Sequence, residues 1–330
     1  MHKEWIQQES ERLEEKINTL EFGMAYDLLN TDGNGLIYPY YFLYKDSLST
    51  VGFDFLITTD RNPNAGVLYR EKLIIMSQGL IDRLSKLAEL IVSSGVLDGE
   101  KVKLRYFDLD FSENSFRGFD NKSSIYETPQ KTKLFHFVFT TLMSFVLHHE
   151  VGHVYHKHGE RLQQLDYFGD SQGHEKISAV DVVSSHAREL IADIHSFLKL
   201  MKSTEEKLIS SNDFGLIEHF NGPKNTRHIL LTLVTCYFRM MDMRSTVSHF
   251  ESTHPEAVFR AFAIYAKSCS LEKNQAIAIQ DVFRSLDLVK QIFSYLEQPL
   301  PNDWLDKIWS TDMLEWQKKV QDEYSFWINS

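Results

Sequence analysis

Cysteine is nearly missing from this chain: only Cys236 and Cys269 occur in 330 residues. Two are too few for a disulfide framework or a cysteine-built zinc cluster, and the scarcity suits a reducing compartment. Positive charge is also in deficit. Lys and Arg number 35 against 46 Asp and Glu, a formal net charge of −11. No long basic run offsets it, which argues against nucleic acid as the main partner. Long apolar runs are short as well. The longest, Leu134–Leu147 and Ile229–Met241, each carry a His or an Arg and fall below the ~20 residues of a spanning helix. The start, MHKEWIQQESERLEEK, has no apolar stretch of the kind a secretory signal needs. Together these shortages predict a soluble, cytoplasmic protein with no membrane partner. At 43% hydrophobic residues, a chain this long can still bury a core without covalent staples.

What is present divides the chain into an N-terminal region, 1–130, and a helical region, 131–330, forming one continuous unit. In the first, GLIYPYYFLY, VGFDFLIT, VLYREKLIIM and KVKLRYFDLDF are rich in β-branched and aromatic residues and read as strands. QGLIDRLSKLAELIVSS spaces its apolar residues three and four apart, as a helix does. Residues 112–130 are polar with Gly and Pro, and read as a loop. Beyond them, helices are predicted over 131–160, 177–202, 225–250, 255–270, 274–297 and 302–327. A mixed, mostly antiparallel sheet followed by helices predicts an α+β fold.

The stretch HHEVGHVYHKHG, His148–Gly159, holds five histidines and a glutamate. Within it HEVGH has the form H-E-x-x-H. His149 and His153 share a helical face, and both imidazoles can reach one zinc ion at ~2.0–2.1 Å. Glu150 projects at an angle that misses the metal and reaches a water in its remaining position, where it acts as general base. Leu142, Phe145 and Val146 precede His149 on its face, so the ligands emerge from a buried surface. Gly152 costs ~1 kcal/mol in mid-helix, which predicts close packing beside the site. The other histidines are weaker candidates. His148 points about 100° away, His156 suits the rim or the helix end, and His158 lies beyond it.

A catalytic zinc site takes three protein ligands and keeps an open position. HExxHxxGxxH would supply the third locally, but here position 156 is His and position 159 is Gly. The segment SSHARELIADIHSFLK offers Glu189 and Asp193, again four apart. Glu189 is the expected third ligand, with His186 the alternative. Asp193 would accept a hydrogen bond from His149 and set its tautomer.

HEVGH followed by ELIAD resembles the gluzincin class of zinc metallopeptidases, in which two His and a downstream Glu hold zinc. THPEAVFR, with His254, Pro255 and Arg260, is similar to the His-Pro…Arg segment of the CAAX prenyl protease and heat-shock membrane protease families. Those are membrane proteins; the soluble Lit-type phage-exclusion peptidases resemble this chain more in size and solubility. The resemblance implies a zincin-like fold and one zinc ion per chain. It also implies phage defence, with a translation factor such as elongation factor Tu as substrate.

The expected function is zinc-dependent hydrolysis of a peptide bond in a protein substrate. Glu150 would move the proton from water to the leaving amine. A second oxyanion donor is expected, His254 first and Arg260 otherwise. Substrate would extend along an edge strand of the N-terminal half. The rival is a zinc-stabilised interaction protein without turnover. Three motifs read as decoys. Asn30–Tyr41 resembles a calcium loop but has Tyr41 where the bidentate Glu belongs, and reads as a tight turn. Gly169–Gly173 matches G-x-S-x-G around Ser171 without the strand that motif needs. Trp309, Met313, Trp316 and Val320 form a helical stripe that reads as core.

Overall fold

The computed structural model describes residues 2–29, 37–102, 128–161, 179–210, 226–242, 249–250, 252–295 and 303–328. Strands β1 (Asp54–Thr58), β2 (Ala65–Leu68) and β3 (Leu73–Ser77) form a sheet of order β1-β3-β2. β3 runs parallel to β1 and antiparallel to β2, so the sheet is mixed rather than mostly antiparallel. The single run Val67–Met76 is folded into a hairpin by a turn in which Lys72 takes φ +49°. Side chains of a strand alternate between faces, and here both faces are covered. Leu56, Leu68, Leu73 and Ile75 pack with Leu13 and Phe22. Those two residues lie in helices α1 (His2–Glu14) and α2 (Thr19–Phe22). Phe55, Ile57, Val67, Ile74 and Met76 face the main core.

One strand expectation is corrected. The aromatic run Ile37–Ser49 is helix α3. Its buried residues Ile37, Tyr41, Tyr44 and Leu48 are spaced by four, three and four, the helical period. Pro39 sits in the first turn, where its missing N–H has no helical partner to lose. β-Propensity of the aromatics was the misleading signal, because packing overrides it. Asn30–Leu36 of the calcium-like loop, the strand reading beyond Val102, the loop reading up to Glu127, and Ser171 with its motif all lie outside the described residues.

Helix α4 (Gln78–Ser93) begins where the Ser77 side chain accepts from the Leu80 amide at 3.1 Å. The long helix α5 (Pro129–Tyr155) starts with Thr128 as cap and proline in its first turn. It ends earlier than its periodicity suggests. His156 caps it, Lys157 takes φ +56°, and the short helix α6 (His158–Arg161) follows. Then come α7 (Ala179–Ser210), α8 (Thr226–Asp242), α9 (Ala257–Leu271), α10 (Gln275–Ser294), a 3-10 turn (Asp306–Trp309) and α11 (Thr311–Ile328).

By length and composition alone α5 could cross a bilayer, but its apolar window is mostly buried inside the protein. It packs against α4, α7 and α8, and Phe145 meets the rings of Tyr237 and Phe238 at 5.6 Å. A helix apolar on nearly every side is what a central position requires. Leu190 of α7, Phe259 of α9, and Met313, Trp316, Val320 and Trp327 of α11 form a separate apolar cluster. Trp309, 60% exposed, stands outside that stripe. The architecture is α+β, mostly helical with a small three-stranded sheet.

Candidate metal centre

The centre lies where α5 crosses α7, and a glycine sets the approach. A Cβ on Gly152 would sit 3.0 Å from the Ala192 Cα, closer than side-chain carbons tolerate. The close packing expected beside the site is therefore against α7 itself. The period of 3.6 residues places His149 and His153 on one face of α5, and Glu189 and Asp193 on one face of α7.

His149 Nε2 lies 3.3 Å from Glu189 Oε2, His153 Nε2 lies 3.3 Å from Glu189 Oε1, and the two Nε2 atoms are 3.1 Å apart. Donors arranged tetrahedrally at ~2.0–2.1 Å from one ion are ~3.3 Å apart, so these separations suit a single small cation. All three residues are buried. Glu189 Oε2 is buried without a hydrogen bond, a cost that a cation would relieve. Two imidazoles and a carboxylate are a donor set that could bind a metal ion.

Asp193 accepts from His149 Nδ1 at 2.9 Å. Arg260 closes on the same carboxylate with two bonds, Nε to Oδ2 at 2.8 Å and a terminal nitrogen to Oδ1 at 2.7 Å. Its distance to Glu189 is 3.9 Å. Arg260 is thus clamped on Asp193, behind the histidine. His254 Nε2 lies 3.7 Å from Glu189 Oε2 and its side chain is 25% exposed, so it borders the centre from the solvent side. Glu150 is buried beside the cluster but outside the three-residue set.

His186, the alternative third ligand, is placed elsewhere. Its Nε2 donates to the Ser252 carbonyl at 2.9 Å, and its Nδ1 accepts from Trp316 Nε1 at 3.0 Å. Ser185 Oγ donates to the Thr253 carbonyl at 2.8 Å. These bonds hold the segment that carries His254. His148 and His156 lie outside the cluster; His156 is the cap residue of α5.

Electrostatics follow from burial and proximity. Burial pushes the Glu150 carboxyl up to about 7, and pushes His153 down to about 4. For His149 burial opposes the charge, yet Asp193 and Glu189 outweigh it and raise the imidazole to about 10. Burial works against ionised Glu189 too, but His254 and His153 hold it well below the carboxylate range. Asp193 is likewise lowered, with Arg260 overcoming burial.

Two neighbours were not legible in the sequence. His158 Nδ1 lies 2.8 Å from His153 Nδ1, brought there by the turn at Lys157 rather than by helical spacing. Tyr69, the residue after β2, packs its ring where a Cβ on Gly159 would be only 2.3 Å away. Burial raises its phenol above the usual range, and Glu150 adds to the rise. The first depends on a left-handed turn and the second on a contact between residues far apart in the chain, and no helical period encodes either.

Residues 117–280 match the model of the family Peptidase U49, a stretch that contains His149, Glu150, His153, Glu189, Asp193, His254 and Arg260. No curated protein and no solved structure matches the chain. The family match supports a peptidase acting on protein or peptide substrates, and the buried His-His-Glu cluster fits a metallopeptidase.

Proposed function

We propose that this protein is a zinc-dependent endopeptidase of gluzincin type, working in the cytoplasm. The observation that carries the reading is the buried triangle of His149, His153 and Glu189 with Glu150 beside it, within the stretch that matches a peptidase family. A zinc ion held by those three residues would polarise the scissile carbonyl and acidify a water for attack. Glu150 takes the proton from the attacking water onto its carboxylate and gives it to the nitrogen of the leaving amine. His254 Nε2, at the solvent border of the centre, donates to the carbonyl oxygen as it becomes negative. Asp193, locked by Arg260, holds the His149 ring with Nε2 turned inward. Substrate lies extended along β2, an edge strand whose end leads through Tyr69 to the α6 side of the centre, by strand addition.

Glu150→Gln tests the reading. It should reduce peptide turnover by about 10²–10⁴-fold, the range for general acid–base groups, while zinc content stays near one per chain. His149→Ala and Glu189→Ala should lose the metal in mass spectrometry. Full turnover in the Gln variant, or no zinc in wild type after titration, rejects the enzyme. Zinc binding without turnover on any protein substrate supports the non-catalytic rival. The resemblance to phage-exclusion peptidases makes a translation factor the first substrate to try.

A further inference from the structure

His153 turns Nε2 toward Glu189 and Nδ1 away from the cluster. Among the described residues that outer nitrogen meets another imidazole, Nδ1 of His158, at 2.8 Å. His158 is 1% exposed. Two ring nitrogens at this distance share one proton, so one donates and the other accepts. When the Nε2 lone pair of His153 is given to a metal, its Nδ1 carries the proton, and His158 Nδ1 has to be the acceptor. We propose that His158 is a positioning residue that fixes the ring orientation and tautomer of His153, as Asp193 does for His149. The inference rests on the metallopeptidase reading above.

The backbone is arranged for it. After α5 ends at Tyr155, Lys157 adopts φ +56°, a left-handed conformation that residues other than glycine seldom take. That single residue reverses the chain and returns His158 beneath His153. Gly159 follows, where the Tyr69 ring leaves no room for a Cβ. From the far end of the sequence, Trp327 packs perpendicular to the His158 ring at 5.7 Å between centroids. Arg188 in turn sits 4.9 Å from the centre of the Trp327 ring. A strained turn, a residue without a side chain and a C-terminal aromatic all converge on one imidazole. Being neutral, the acceptor steadies His153 without the added basicity that the carboxylate of Asp193 lends His149.

The test is zinc affinity of the metal-depleted full chain, read by competition with a chromophoric chelator. His158→Phe keeps a ring and removes the acceptor; His158→Gln offers Oε1 as a substitute acceptor. The Phe variant should bind zinc 10–100-fold more weakly, the range for losing a partner of a ligating histidine. The Gln variant should stay within about threefold of wild type. The absorption bands of bound cobalt should change in the first and not in the second. His158→Met replaces the Phe variant if the latter does not fold. Unchanged zinc affinity in the Phe variant, or equal loss in both, overturns the role of His158 alone. A wild type that takes up no zinc overturns the metallopeptidase reading and this inference together.

Discussion

Asp193 has no exposure and two buried partners, His149 and Arg260. Removing the guanidinium leaves Asp193 and Glu189 short of positive charge in the interior. Arg260→Met should therefore destabilise the metal-free protein by about 3–5 kcal/mol in urea unfolding, the usual result of breaking a buried pair from one side. A loss under ~1 kcal/mol would mean the pair is solvated. Acid should act through the depressed histidines. His153, His186 and His249 lie at about 4, 3 and 4 in the folded chain, below their unfolded value. Between roughly pH 4.5 and 6.5 the unfolded chain binds protons there that the folded chain does not, so stability falls as pH falls. Glu150, raised to about 7, binds a proton in the folded chain over that window and opposes one histidine. His158 and His195, also depressed by burial, add to the histidine side, while Asp82, raised to about 7, joins Glu150 in opposing it. The histidines outnumber the carboxyls, so the net is a fall in stability toward acid. Urea midpoints of metal-free protein at pH 5 and 6.5 measure it, and a flat profile contradicts the burial of these rings. At this scale HEVGH was legible, because four-residue spacing alone puts two imidazoles together. The clamp of Arg260 on Asp193 was not, because 67 positions separate them.

At the scale of elements, the decisive contact is α5 against α7. Gly152 lets the helices meet because a Cβ there would come within 3.0 Å of the Ala192 Cα, and their spacing sets the distance from Glu189 to both histidines. Gly152→Val would drive a branched side chain into the backbone of Ala192. Overpacking of this kind costs about 1–3 kcal/mol, and here it should also weaken metal binding by about tenfold or more as ligand geometry is disturbed. Melting temperature and chelator competition on the same preparation read the two effects. A valine variant that binds zinc like wild type would show that the helix spacing is not what sets the site. Helix α3 carries the contrary lesson. Its aromatic composition spoke for a strand, while the spacing Ile37, Tyr41, Tyr44, Leu48 already held the helical period; composition was the weaker guide.

At the scale of the molecule, α11 closes a circuit. It lies outside the stretch that matches the peptidase family, yet Trp316 donates to His186 and Trp327 packs on His158. Through His186 and Ser252 the first tryptophan steadies the segment bearing His254. Trp316→Phe removes the donor and leaves a buried acceptor unpaired, at a cost of about 1–3 kcal/mol. Its expected signature is reduced peptide turnover with zinc content unchanged. If both remain as in wild type, α11 is a cover for apolar surface and nothing more.

By itself the sequence determined the helix that carries HEVGH, the pairing of Glu189 with Asp193, the long helical half and the type of chemistry they suit. Those features rest on local spacing, and spacing along a helix converts directly into a shared face. Tertiary structure alone decided the rest. It gave His186 to a backbone carbonyl, Arg260 to Asp193, His158 to His153 and Tyr69 to Gly159. Each of these depends on how helices cross and where a left-handed residue turns the chain, and such long-range geometry leaves no period for a sequence to display.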